Sequence, residues 1–224
     1  QGVKVFPAIG ANSDSVAELA MGAIYVMFRR SYLATPDVVA GKWPRIELMG
    51  REVQGKTLGI IGLGWTGQAL AWRARGNGMN RIAYDPWVAK DDPRWADCKV
   101  ERAETLDDLL PKCDAVSIHV PLTDDTRGLF NAQTIAKMKD RALLLNLSRG
   151  GIVDEQALVD ALKSGKLWGG FTDVFVEEPL TSPNIFEGVP NLYCTPHVGP
   201  RTEEGEGKVS TVTADAVLNC LNGN

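Results

Sequence analysis

Apolar positions along the chain fall into a short opening alternation, one long block, and then short runs divided by amphipathic stretches. The opening "QGVKVF", from Gln1 to Val5 and on, reads like the middle of a β-strand. It carries no initial methionine, so something N-terminal to it is expected to have been removed or left out. "SDSVAELAMGAIYVMFRRSYLA" predicts a helix from Asp14 to about Leu33, with Ser13 or Asp14 as its N-cap. That helix is apolar nearly all round, so it must be buried on more than one side, and part of it is expected to face another subunit. Its most apolar part, Val16 to Phe28, is interrupted by Glu18 and Gly22 and falls short of the ~20 residues of a bilayer span.

A loop-rich connector follows, "TPDVVAGKWPRIELMGREVQG". "KTLGIIGLG" then gives a strand without polar alternation, as expected where both faces are covered. Beyond it the pattern alternates. A helix from Thr66 to about Asn77 precedes the strand "RIAYD", and the short helix "LDDLLPKC" precedes the strand "DAVSIHVPL". "NAQTIAKM" and "DEQALVDALKSG", the latter closed by Gly165, are helices around the strand "RALLLNLS". "GGFTDVF" and "NLYCTPH" are further strands, and helical patterning returns from Glu203 to Leu221. Strands and helices alternating at this spacing predict an α/β fold, a parallel sheet with helices on both faces.

Composition narrows the function. The chain of 224 residues is 44% hydrophobic and 23% charged, with a net charge of -4. No basic stripe is available to neutralise phosphates, which argues against nucleic acid and membrane surfaces as partners. Cys98, Cys113, Cys194 and Cys220 show no C-x-x-C spacing. Neither a metal site nor a disulfide framework is expected, and the reading is a soluble, cytoplasmic protein.

The run "LGIIGLGWTGQAL" carries Gly62, Gly64 and Gly67 between an apolar strand and a helix, and Asp85 ends the next strand roughly twenty residues on. In that context the spacing reads as a dinucleotide fingerprint of a Rossmann-type doubly wound sheet. Gly62 permits the tight turn, Gly64 lets the backbone approach a pyrophosphate, and Gly67 brings helix and strand together. Asp85 would accept hydrogen bonds from the adenosine ribose and repel a 2′-phosphate, favouring NAD over NADP.

With these residues in place, the chain resembles the D-isomer-specific 2-hydroxyacid dehydrogenase family. The likeness rests on "ANSDSVAELAMG", "GKTLGIIGLGWTG", "AYDP", "SIHVPLTDDTRGLFN", "LLNLSRGGIVDEQAL", "TDVFVEEP" and "TPHVG". It implies a catalytic trio of Arg149, Glu178 and His197. It also implies cofactor contacts from Trp65, Thr66, Val120, Leu147, Ser148 and Asp173, the last to the nicotinamide carboxamide, and an acid substrate that is a small D-2-hydroxy or 2-oxo acid. The residue types suit that chemistry. An arginine fork can hold a carboxylate through two parallel bonds, a histidine can donate a proton to a carbonyl oxygen, and a glutamate beside it favours the imidazolium. His119 is read as structural or adjacent to the adenosine.

The resemblance further implies a homodimer. It also implies that residues 1–202 are the NAD-binding domain, with 203–224 a terminal helix returning toward a substrate domain absent here, so that the 224 residues alone turn over poorly. Pro7 and Ile9 stand where the family has other residues, as do Thr66 and Pro200-Arg201; Arg201 could meet a second anionic group on the substrate. Two alternatives stay open at this point: an NAD(H)-sensing module like the dehydrogenase-related co-repressors, and a phosphite dehydrogenase relative. A formate enzyme is disfavoured, because such enzymes place glutamine where Glu178 stands.

Overall fold

A computed structural model describes residues 3–222. Its strands are β1 (Thr57–Ile61), β2 (Asn80–Tyr84), β3 (Glu101–Arg102), β4 (Ala115–Ile118), β5 (Ala142–Asn146), β6 (Leu167–Thr172) and β7 (Leu192–Cys194). They form one sheet in the order β3-β2-β1-β4-β5-β6-β7, and every neighbouring pair is parallel. Helices are α1 (Ser13–Arg29), α2 (Ala34–Val39), α3 (Trp65–Gly76), α4 (Arg94–Cys98), α5 (Leu106–Leu109), α6 (Ala132–Lys137), α7 (Glu155–Lys163) and α8 (Glu203–Leu221).

Side chains alternate across the pleat, so each central strand feeds two cores. Leu58 and Ile60 of β1, with Leu143 and Leu145 of β5, pack with Ile24 and Phe28 of α1 and Leu70 of α3. On the opposite face Ile61 and Leu144 join Leu109, Ile135, Leu158 and Leu162 from α5, α6 and α7. Helices therefore cover both faces of the sheet, the doubly wound arrangement. The winding reverses between β1 and β4, and a cleft opens beyond the strand ends at that switch point, as such sheets dictate.

Several expectations change. Val3 and Val5 belong to no strand and are exposed, each 80%; they have no neighbouring strand to pair with, and Gln1 and Gly2 lie outside the described residues. Asn12, not Ser13 or Asp14, occupies the N-cap position of α1, and no side chain caps it. Ser13 is instead buried and accepts a hydrogen bond from the Thr66 hydroxyl at 3.4 Å. The helix ends at Arg29 rather than Leu33. Arg30 turns into the left-handed region (φ 53°) and its N–H returns to the Met27 carbonyl, after which a 3-10 turn, Ser31–Leu33, leads into α2.

Helix α1 is buried on more than one side, as its apolar pattern predicts, and leaves one narrow stripe exposed. Ala17, Ala20, Ile24 and Phe28 face inward, whereas the exposed stripe of Asp14, Glu18, Tyr25 and Arg29 is polar. Arg73 of α3 bridges Asp14 and Glu18 at 2.9 and 2.8 Å. Helix α4 and strand β3 are additions, the latter too short to leave a periodic trace. Among the described residues no helix is long and apolar enough to cross a membrane.

Candidate active site

At the end of β1 the backbone turns back under the sheet. Gly62 sits at φ 93°, and its N–H bonds to the Tyr84 carbonyl at 2.9 Å. A Cβ there would lie 2.6 Å from the His119 carbonyl oxygen, and one at Gly67 would lie 2.0 Å from that of Gly62. Neither position tolerates a side chain, because backbone passes backbone. Gly64 is different: a Cβ would meet nothing within 4 Å. The space above Gly64 faces the first turn of α3, whose leading N–H groups lack intrahelical acceptors and attract anions.

Asp85 stands just past β2. Its carboxylate accepts from Leu63 N–H at 2.8 Å and Trp87 N–H at 2.9 Å, which fixes it at the rim of the glycine turn. A carboxylate has about four acceptor directions, so capacity remains for hydroxyl donors. Open space, free N–H donors and a fixed rim acceptor together fit a dinucleotide such as NAD.

The cleft beside this turn encloses ≈ 290 Å³ and brings together Thr66, Val120, Leu147, Ser148, Arg149 and His197. Asn12, Val16 and Pro200 line it too, as does His119. Asn12 was not singled out from sequence. It lies within the "ANSDSVAELAMG" block, where capping preference points to the serine and aspartate that follow. Trp65 points elsewhere, 65% exposed and packed over Gly10. Asp85, Asp173 and Glu178 do not line the cleft.

Glu178 reaches it through His197. His197 Nδ1 lies 2.8 Å from Glu178 Oε2, while Glu178 Oε1 accepts from Phe175 N–H at 2.9 Å. Burial pushes the Glu178 carboxyl up. The hydrogen bonds from His197 and Phe175 outweigh it, with the positive charges of His197 and Arg149, and leave it below the usual carboxylate range. Arg149 is exposed, and its Nη1 donates to the Ser148 carbonyl at 2.6 Å. Its loop is held against the end of β6 by Gly150, where a Cβ would sit 1.8 Å from the Phe175 carbonyl oxygen.

His197 itself has φ 55°, a left-handed conformation that costs of order 1–3 kcal/mol. The loop is clamped from beneath by Asp173, which is 1% exposed. Asp173 Oδ1 accepts from Thr195 Oγ1 at 2.6 Å and Val198 N–H at 2.8 Å, and Oδ2 accepts from Gly199 N–H at 2.8 Å. Hydrogen bonds to a charged group contribute about 1.5–3 kcal/mol each, enough to hold the strained residue. The expected cofactor ligand is thus heavily engaged within its own chain.

His119 follows β4, and its Nε2 lies 2.9 Å from Ser117 Oγ. Burial lowers its pKa to about 4, so the ring is neutral at ordinary pH. Arg201 is exposed and paired with Glu206 at 2.6 Å, not turned freely toward the cleft. Among the described residues no three metal-ligating side chains cluster.

Comparison with known proteins identifies the family. The profile of the family described as "D-isomer specific 2-hydroxyacid dehydrogenase, NAD binding domain" matches residues 21–199. The chain is 48% identical over 219 residues to (S)-sulfolactate dehydrogenase of Chromohalobacter salexigens, covering 98% of this chain and 70% of that protein. It is 40% identical to D-3-phosphoglycerate dehydrogenase of Methanocaldococcus jannaschii, across 100% of this chain but only 42% of the relative. Among solved structures, D-lactate dehydrogenase from Aquifex aeolicus, complexed with NAD and lactic acid, superimposes with a TM-score of 0.83 at 29% identity, covering 94% of this chain and 67% of that one. The glycine turn, the switch-point cleft and these likenesses lead to one conclusion: the chain is an NAD-binding domain and belongs to the D-isomer-specific 2-hydroxyacid dehydrogenase family.

Proposed function

We propose that the protein is an NAD-dependent oxidoreductase that interconverts a small D-2-hydroxy acid and its 2-oxo acid, with Arg149, Glu178 and His197 as its catalytic residues. The observation that carries this reading is the 2.8 Å pair of His197 Nδ1 and Glu178 Oε2, whose histidine lines a cleft with Arg149 and Thr66. NAD, when bound, supplies or accepts the hydride at the carbon bearing the oxygen. The backbone of Gly64, Trp65 and Thr66 would hold its phosphates at the first turn of α3, with Gly62 and Gly67 shaping the turn and Asp85 on the adenosine ribose. Val120, Leu147 and Ser148 would line its path, and a remaining acceptor direction of Asp173 would meet the carboxamide.

The chain's own residues do the rest. The Arg149 fork leaves the Ser148 carbonyl and grips the substrate carboxylate through two parallel bonds. With Nδ1 tied to Glu178, His197 presents Nε2 to the substrate oxygen. Nε2–H gives up its proton as the 2-oxo acid is reduced and recovers it in the reverse direction. Glu178 remains ionised throughout, since its carboxyl lies below the usual range, and so stabilises the imidazolium.

Two relatives, each matched over 70% of its own length, act on sulfolactate and hydroxypyruvate, as their names state. We read residues 1–202 as the cofactor domain and α8 as the link to a substrate domain. Support for this is a helix whose Val212, Val217, Leu218 and Leu221 are exposed. We read the working unit as a cytoplasmic homodimer. Val39, Trp43, Ile46 and Met49, following α1 in the chain, are 67–82% exposed, an apolar surface of the kind that marks association.

The direct test is a panel of sulfopyruvate, hydroxypyruvate, 3-phosphohydroxypyruvate and glyoxylate with NADH, run on the full-length enzyme and on these 224 residues alone. The full-length enzyme should reduce at least one, and the shorter chain should bind NADH with little turnover. Failure of every acid with the full-length enzyme would end the reading. Sedimentation as a monomer at micromolar concentration would end the homodimer.

A further inference from the structure

We propose that Asp173 is a positioning residue for His197: by holding Thr195, Val198 and Gly199 together, it sets the loop conformation in which Nδ1 meets Glu178. The inference rests on the reading of His197 as the proton carrier, and goes beyond it by assigning the cause of the ring's placement. Three observations converge. The two residues directly after His197 donate their N–H groups to the two oxygens of one carboxylate, and the hydroxyl of Thr195 binds the first of those oxygens. That carboxylate is buried at the end of β6, out of the cleft. Between the anchor points, His197 alone takes a left-handed backbone (φ 55°).

The anchor is itself anchored. Asp173 N–H bonds to the Asn146 carbonyl at 3.0 Å, and Thr195 N–H bonds to the Thr172 carbonyl at 3.1 Å. Strand ends of β5, β6 and β7 thereby set the position of the carboxylate. Space is matched as closely: a Cβ at Gly199 would lie 2.8 Å from Asp173 Oδ2. Glu178 is fixed from the same strand end, through Phe175 N–H. Both members of the His197–Glu178 pair therefore take their geometry from the four residues that follow Phe171. An amide at 173 would turn N–H toward at least one of the N–H donors, and the clamp would open. A buried acceptor satisfied by three donors of the loop that follows β7 has this as its first duty, whatever else it touches.

The test exploits a sequence with only two histidines, His119 and His197. In 15N-labelled protein the Nδ1–H of His197, bonded to Glu178, should give a downfield, slowly exchanging resonance that Glu178→Gln shifts and His197→Ala removes. In Asp173→Asn that resonance should be lost or broadened while the His119 signals stay in place. NADH affinity, read by fluorescence, should fall as well, because the carboxamide contact is weakened, so the resonance is the readout that decides. Thr195→Val removes one of the three donors and should give a partial change in the same direction, and Thr195→Ser, which keeps a hydroxyl, should restore the signal. These two variants keep the proposal testable where Asp173→Asn does not fold. An unaltered His197 resonance in Asp173→Asn, or in Thr195→Val if the former is unfolded, overturns the proposal. So does a tenfold loss of NADH affinity with the resonance intact, which would make Asp173 a cofactor ligand only. None of these readouts requires turnover, so a failure of the dehydrogenase assays is distinguishable from a failure of the clamp.

Discussion

On the β1–α3 side of the cleft the backbone is itself the surface: glycines let one strand turn, one helix approach and a ligand come close. On the β5–β7 side the surface is made of side chains, Arg149, Glu178 and His197, and the buried carboxylate of Asp173 holds the histidine loop. The first side is specified by residues that must be absent, since a Cβ at Gly67 would strike the Gly62 carbonyl oxygen at 2.0 Å. The second is specified by donors and acceptors that must be present, as in the three bonds to Asp173. A cofactor common to many reactions can be gripped by backbone geometry. A proton moved at one atom needs a side chain aimed at that atom.

The comparison breaks most sharply at His197. His197→Ala in the full-length enzyme should lower kcat by about 10²–10⁴-fold, the range for losing a general acid–base residue. NADH binding should remain within a few-fold, because the glycine side is untouched. Steady-state kinetics with a fluorescence titration of NADH checks this; a variant with near-parental kcat removes His197 from the chemistry. The mirror experiment substitutes the other side. Gly67→Ala should destabilise the fold by about 3 kcal/mol, the upper part of the range for forcing atoms into a packed site. Gly64→Ala should leave stability nearly unchanged, since its Cβ meets nothing within 4 Å, yet weaken NADH binding. Urea melts that show the two alanines to be equivalent would mean that the turn is looser than its contacts indicate.

The two sides also differed in how they could be read. Gly62, Gly64, Gly67 and Asp85 follow a fixed spacing between a strand and a helix, and local sequence carries that spacing. The loops of the other side carry none: Arg149, Glu178 and His197 are separated by many residues and meet only through tertiary folding, so only the resemblance of whole blocks points to them. Asn12 escaped because capping logic favoured its neighbours, and the structure uses neither of them as an N-cap. The engagement of Asp173 with the histidine loop was equally hidden. It depends on a positive φ at His197, which no periodicity announces. The broad burial of helix α1 was legible, and its mean apolar content concealed only the narrow polar stripe of Asp14, Glu18, Tyr25 and Arg29. Strand β3, two residues long, is below what any pattern can register.

Between the two sides lies His119, and it offers the smallest of these tests. Burial lowers its pKa to about 4, against about 6.5 in an unfolded chain. From pH 6.5 down to 4 the unfolded state binds a proton that the folded state refuses, so stability falls as pH falls through that window. The full shift corresponds to about 3 kcal/mol; partial exposure of the residue reduces the expected loss to about 2 kcal/mol. Glu178 acts lower on the scale, because a depressed carboxyl adds stability above its unfolded pKa that is lost only as pH drops through its folded value. The two effects therefore separate by pH. Urea melts at pH 7 and pH 4.5 should show the parent losing about 2 kcal/mol more than His119→Gln, with the variant otherwise folded and binding NADH. Equal losses in the two proteins would show that the imidazole takes up its proton without leaving its place beside Ser117, and that the strip of backbone between Gly62 and β4 is open to water.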